Sequence, residues 1–236
     1  MPEVRVKICG LVRPDDARHA ARAGADYLGA VLSAGFPRSV TPEVARSFSV
    51  AGGPPLVAVL LNEPVAAAAA KAEESGARIL QLHGDEPPAV LAELRTEERW
   101  ELWKAVCPRT VEELRRSVER YVELADGLLL DGWHPEHRGG GGMRFPWELL
   151  EAVRADFPAG LTLVAAGGLE PNTVADAVAR LAPDVVDVSS GVEATLGQKD
   201  PGKVSEFIRS ARGAVPLATA LPRSRSAEAT PRPGRR

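Results

Sequence analysis

The feature that most constrains this chain is a rhythm. A short apolar run suited to a strand is followed by a stretch suited to an amphipathic helix, and the pair recurs eight times between Val4 and Arg212. The strand-like runs are VRVKIC, DYLGAVL, PLVAVLL, RILQLH, WELWKAV, GLLLD, LTLVAA and DVVDVS. The helix-like stretches are PDDARHAARAG, PEVARSFS, PVAAAAAKAEESG, PPAVLAEL, VEELRRSVERYVELA, WELLEAVRAD, PNTVADAVARLA and PGKVSEFIRSAR. Several of these open on proline, whose missing N–H is harmless in a first helical turn. Glycines such as those in SGA and AGAD mark helix ends. The strand-like runs are almost continuously apolar, as strands covered on both faces are. Strand-helix-strand crossovers are right-handed, and eight in succession predict a single-domain α/β fold, the (β/α)8 TIM barrel. The competing open, doubly wound sheet has fewer strands and a G-x-G-x-x-G turn after the first. ICGLVRPDD contains no such turn.

Composition bounds the rest. The 236 residues are 44% hydrophobic and 26% charged, which suits a soluble domain that buries its own core. A net charge of −3 gives the whole chain no bias toward nucleic acid. No window approaches ~18 uninterrupted apolar residues, so no membrane span is expected. MPEVRVKICG lacks a basic segment followed by an apolar run, which argues against a secretory leader. Cys9 and Cys107 are too few and too far apart for a disulfide framework. Together these features lead us to expect a cytoplasmic protein with free thiols. The H-x-x-H spacing of His134 and His137 sits beside a glycine run without a helical frame. It is read as loop, and no metal site is expected. The barrel is expected to span residues 1–213. Residues 214–236, with five arginines and little to bury, are expected to form a disordered, basic, proline-rich tail.

In such a barrel, chemistry sits at the C-terminal ends of the strands. Cys9 ends the first strand, His83 the fourth and Asp131 the sixth; Asp187 lies in the last, followed by Ser189 and Ser190. Taken singly, a strand-end cysteine is often a small hydrophobe and a strand-end aspartate a loop cap. Several on one rim point to a site. AAGGLEPNTV follows strand seven and VSSGVEATLG follows strand eight. Loops at these two places commonly bind phosphate through backbone N–H groups, which selects Gly167, Gly168, Ser190 and Gly191 and implies a phosphorylated small-molecule substrate. The chain has no G-x-x-x-x-G-K-[ST] loop, so nucleotide hydrolysis is not implied. A thiol whose pKa is lowered by nearby positive charge is a competent base or nucleophile. Lys7, two residues back on the same strand, shares its face. A carboxylic acid across the mouth could serve as general acid. One base and one acid suit a proton-shuffling isomerisation and do not suit hydride transfer.

Five motifs then resemble the phosphoribosylanthranilate isomerase family in order along the chain: VKICG, QLHGDE, LLLDG, AAGGLEPNTV and VDVSSGVE. The resemblance runs from about Val4 to Arg212. It implies an Amadori rearrangement in tryptophan biosynthesis that uses neither cofactor nor metal. Cys9 is then the general base and Asp131 the general acid. Arg38, in GFPRSVTPEVA, pairs with the anthranilate carboxylate, and Gln81, His83 and Asp187 are further rim residues in roles not separated. A monomer and a homodimer both fit the sequence.

The chain departs from the pattern in its sixth loop, where HRGGGGMRFPW carries a tetraglycine run, Gly139–Gly142. It also has glycine after Asp131, where a larger residue is common. Cys107, after the fifth strand, is read as structural. Two rival functions remain: a histidine-pathway sugar-phosphate isomerase, which uses an aspartate where Cys9 stands, and a catalytically silent phosphate-binding barrel.

Overall fold

The structure, a computed structural model, describes residues 3–132, 145–154 and 157–217. Eight strands form one closed barrel in chain order: β1 (Arg5–Ile8), β2 (Tyr27–Val31), β3 (Leu56–Leu60), β4 (Ile79–Leu82), β5 (Glu101–Val106), β6 (Gly127–Leu130), β7 (Thr162–Ala165) and β8 (Val185–Val188). Every neighbouring pair is parallel, and β8 closes on β1 with Lys7 opposite Asp187. The helices between them are α1 (Pro14–Ala23), α2 (Pro42–Arg46), α3 (Val65–Ser75), α4 (Pro88–Thr96), α5 (Val111–Tyr121), α6 (Trp147–Val153), α7 (Val174–Leu181) and α8 (Pro201–Gly213). The expected (β/α)8 barrel is therefore the fold, and the open sheet is excluded by the β1–β8 pairing.

The local signals act as anticipated in most places. Proline occupies the first turn of α1, α2, α4 and α8, and Gly24 and Gly76 close α1 and α3 in the left-handed region. Several ends differ. α2 stops after five residues, because Ser47 and Phe48 turn back onto the preceding carbonyls. α5 ends at Tyr121, short of the apolar Leu124. α7 starts only at Val174, because Thr173 and Val174 both bond to the Glu170 carbonyl and Pro171 lies in that turn.

Strand alternation divides the core in two. One set of side chains points into the barrel: Tyr27, Val57, Ile79, Trp103, Ala105, Leu129, Val164, Ala166 and Val185. Tyr27 and Trp103 meet edge-to-face with centroids 5.1 Å apart. The opposite set, including Val6, Leu28, Leu80, Leu102, Leu128 and Val186, packs under the helices. The interior aromatics plug the barrel, so the cavity opens at the strands' C-terminal ends.

One element was not expected from the sequence. After β8 a short 3-10 turn, Ser190–Val192, leads into a small antiparallel hairpin, β9 (Glu193–Thr195) and β10 (Gln198–Lys199), ahead of α8. Beyond α8, residues 214–217 continue without helix, and Leu217 donates its N–H to the Ala179 carbonyl (2.9 Å). Most of the expected tail, the His134–His137 pair and Gly139–Gly142 lie outside the described residues. Among those described, no helix is long and apolar enough to cross a membrane. Nor does any group of three or more His, Cys, Asp or Glu side chains stand ready to hold a metal ion.

Candidate active site

A single cavity at the C-terminal mouth is lined by all ten residues singled out in the sequence: Cys9, Arg38, Gln81, His83, Asp131, Gly167, Gly168, Asp187, Ser190 and Gly191. Cys107 is not among its lining residues. It is half-buried beyond β5 and contributes to the electrostatic surroundings of Lys104.

Cys9 follows β1, and its N–H donates to the Val188 carbonyl (2.8 Å), so the β1–β8 ladder fixes its position. Lys7 lies beneath it, fully buried, with Nζ 3.1 Å from each carboxylate oxygen of Asp187. The thiol and the lysine stem are neighbours: a Cβ placed on Gly29 of β2 would come within 2.8 Å of Cys9 Sγ and 3.1 Å of Lys7 Cε. Burial pushes the Cys9 thiol above its ordinary value, and the Asp187 charge pushes it the same way. Lys7 foremost, and Lys199 after it, pull it down without fully offsetting the burial. The sequence reading, in which Lys7 lowers this pKa, thus has the right sign for Lys7 and the wrong net direction. The sequence could place Lys7 on the thiol's face but could not weigh desolvation. Burial alone would lower Lys7, but Asp187 and the thiol hold it above the ordinary range, as an ammonium. Burial also pushes Asp187 up against the pull of Lys7.

Across the mouth, Asp131 follows β6. Its Oδ1 accepts the Gly132 N–H (2.7 Å), and its Oδ2 lies 3.2 Å from His83 Nε2. His83 Nδ1 is 2.7 Å from Gln81 Nε2. With the amide donating, the imidazole carries its proton on Nε2, facing the carboxylate. The Nε2–Oδ2 approach lacks hydrogen-bond alignment, and His83 Nε2 and Gln81 Oε1 are both buried without a hydrogen-bond partner. Two such atoms beside one cavity have hydrogen-bonding capacity left to use.

The loops after β7 and β8 close the third side. Gly167 and Gly168 have φ of 79° and 64°. Gly191 comes so close to the β7 loop that an added Cβ would lie 2.0 Å from the Leu169 carbonyl oxygen, so only glycine allows the two loops to meet.

Arg38, in the loop after β2, is not a free loop arginine. Its Nε and Nη2 donate to Glu193 Oε1 and Oε2 at 2.7 and 2.8 Å. That pairing raises its already high pKa. Glu193 is pushed up by burial but more strongly down by Arg38 and Lys199, and stays ionised. Lys199, lowered by burial, lies 3.0 Å from Glu193 Oε1. Sequence reasoning did not pick out Glu193 or Lys199. Glu193 was visible only as the last letter of VDVSSGVE, and nothing in the sequence marks Lys199.

A model of the N-(5'-phosphoribosyl)anthranilate isomerase family matches residues 6–210. The chain belongs to this family. The family member from Geobacter sulfurreducens is 40% identical over 219 residues, covering 89% of this chain and 99% of the relative. That from Neisseria meningitidis serogroup A is 38% identical over 213 residues, covering 89% and 98%. The solved phosphoribosylanthranilate isomerase of Thermotoga maritima superposes with a TM-score of 0.79 at 36% identity, covering 89% of this chain and 99% of that one. Another structure of the family, at a TM-score of 0.76 and 32% identity with the same coverage, is a complex with reduced 1-(o-carboxyphenylamino)-1-deoxyribulose 5-phosphate.

Proposed function

We infer that this barrel isomerises N-(5'-phosphoribosyl)anthranilate to 1-(2-carboxyphenylamino)-1-deoxyribulose 5-phosphate, a step of tryptophan biosynthesis, and that its residues divide the work as follows. The loops bearing Gly167, Gly168, Ser190 and Gly191 take the phosphate through backbone N–H groups, which need no side-chain charge to hold an anion. Arg38 takes the anthranilate carboxylate. These two anchors stretch the substrate across the mouth with the ribose between Cys9 and Asp131. Gln81 Oε1 and His83 Nε2 face the sugar, where its hydroxyls satisfy them.

Asp131, protonated, gives its proton to the furanose ring oxygen. The C1′–O4′ bond breaks as the anthranilate nitrogen lone pair forms an iminium. The positive nitrogen acidifies the C2′ hydrogen, and the Cys9 thiolate removes it. The C2′–H electrons form the C1′–C2′ double bond, and the iminium π electrons return to nitrogen. Tautomerisation of the enol gives the ketose. Lys7 supports the thiolate, and Asp187 holds Lys7 in place.

The observation that carries this reading is that the Cys9 thiol and the Asp131 carboxyl line the same cavity as Arg38 and the glycine-rich loops after β7 and β8. A steady-state assay of the purified protein with N-(5'-phosphoribosyl)anthranilate tests it: turnover is expected, and binding without turnover would leave only the silent phosphate-binding barrel.

A further inference from the structure

Arg38 reaches its position along a narrow route. A Cβ on Gly10, the residue after Cys9, would lie 2.6 Å from Arg38 Cδ and 2.5 Å from Ser189 Oγ. Gly10 itself has φ of 65°. The arginine stem therefore crosses the backbone directly beside the thiol. Beyond the crossing, Glu193 grips the guanidinium side-on, through Nε and Nη2. A guanidinium offers two edges that can pair with a carboxylate in parallel. Glu193 occupies the Nε/Nη2 edge and leaves the Nη1/Nη2 edge of a side chain that lines the cavity.

The grip is itself anchored. Glu193 Oε1 also receives Lys199 Nζ (3.0 Å), which reaches the Ser189 carbonyl at 3.0 Å as well. Asp16 Oδ2 accepts the Lys199 N–H (3.1 Å), and Lys203 Nζ donates to the Glu193 carbonyl (2.9 Å), pinning the β9–β10 hairpin to α1 and α8. Glu193 and Lys199 have side-chain exposures of only 7% and 2%. Arg38 and Lys199 thus share one carboxylate, and of the three residues Arg38 is the one that lines the cavity.

We propose that Glu193 is a positioning residue that orients Arg38, so that the β9–β10 hairpin sets the preference for a substrate whose aromatic amine carries an ortho carboxylate. This deepens the reading of Arg38 given above and rests on it. Without Glu193 the guanidinium is free to rotate and faces Lys199 unshielded. A preorganised donor pair then becomes one that must be ordered when substrate arrives.

The test compares two substrates, N-(5'-phosphoribosyl)anthranilate and the corresponding phosphoribosylaniline without the ring carboxylate. The quantity read is the ratio of their kcat/KM values. Glu193→Gln is expected to lower that ratio roughly ten- to a hundred-fold, as loss of a charge-assisted pair does, with most of the change in KM. In an Arg38→Ala background the same substitution should change the ratio less than about two-fold, because its effect passes through the arginine. An equal loss on both substrates, or a full further loss in the Arg38→Ala background, overturns the proposal. If Glu193→Gln is too unstable to assay, Glu193→Asp, which withdraws the carboxylate by one methylene, carries the same readout. Wild-type protein that fails to turn over the anthranilate substrate would overturn the functional reading instead. An Arg38→Ala protein with the wild-type ratio would remove Arg38's role, and the proposal with it.

Discussion

Lys7 and Lys104 are both buried, and each has a carboxylate oxygen about 3 Å from its ammonium, yet one lies inside the barrel beneath the cavity-lining Cys9 and Asp187 and the other on the outside of the barrel. Lys104 Nζ is surrounded by four oxygens: the carbonyls of Leu82 (3.1 Å), Gly84 (2.8 Å) and Ala105 (2.8 Å), and Glu86 Oε2 (3.0 Å). Glu86 in turn accepts N–H groups from Asn62 and Gly84, and its carbonyl accepts the Tyr121 hydroxyl. Every hydrogen-bond partner of that ammonium is backbone or an engaged carboxylate, and the thiol its charge reaches, Cys107, does not line the cavity. Lys7 has Asp187 on one side and the Cys9 thiol on the other. Its charge bears on the thiol proposed as the base. A buried ion pair thus says little by itself. What distinguishes the two lysines is whether one partner has chemistry still to do.

The comparison can be broken or sharpened by substitution. The largest effect is expected on the chemistry across from Lys7. Asp131→Asn should lower kcat by ~10²–10⁴-fold or more, the usual contribution of a general catalyst, with a melting temperature near wild type. Activity near wild type would remove Asp131 as the acid. Next comes Lys104→Met, which strands Glu86 in a dry site and should cost about 3–5 kcal/mol of stability in denaturant unfolding. Its pH–rate profile should keep the wild-type shape. Lys7→Met should also destabilise, but its distinguishing mark is kinetic. The base acts only when deprotonated, so activity rises as pH passes the Cys9 pKa. Burial pushes the Cys9 thiol up and Lys7 pulls it down, so loss of the cation should move that limb further toward alkaline pH. A Lys7→Met limb at the wild-type pH, or a shifted limb in Lys104→Met, would erase the distinction.

Smaller effects test the anchors. Arg38→Ala should cost roughly 1.5–3 kcal/mol in kcat/KM for the anthranilate substrate. Unchanged kinetics would mean that the ring carboxylate is held elsewhere. Smallest is the phosphate effect. Inorganic phosphate should inhibit competitively and raise the melting temperature slightly by mass action. If a titration does neither, the loops bearing Gly168 and Gly191 do not bind phosphate.

How far the sequence carried the account follows from where its information lies. The barrel was legible because each strand–helix unit announces itself within about 25 neighbouring residues, and their number determines closure. Cys9, His83 and Asp131 were legible because strand ends define the rim. Arg38 and Glu193 are 155 positions apart, and no local pattern predicts their pairing. The β9–β10 hairpin escaped because strands of three and two residues leave no periodicity to detect. The net direction of the Cys9 shift escaped because it depends on burial, which the strand's own residues do not reveal.

The central claim is that Cys9, and not Cys107, is the base. Turnover of Cys9→Ala and Cys107→Ala, measured side by side at saturating substrate, tests it most directly. The account predicts that Cys9→Ala loses ~10²–10⁴-fold in kcat with a nearly unchanged melting temperature, while Cys107→Ala turns over like wild type. A Cys9→Ala protein near wild-type rate beside an inactive Cys107→Ala protein would contradict it and move the base to the end of β5.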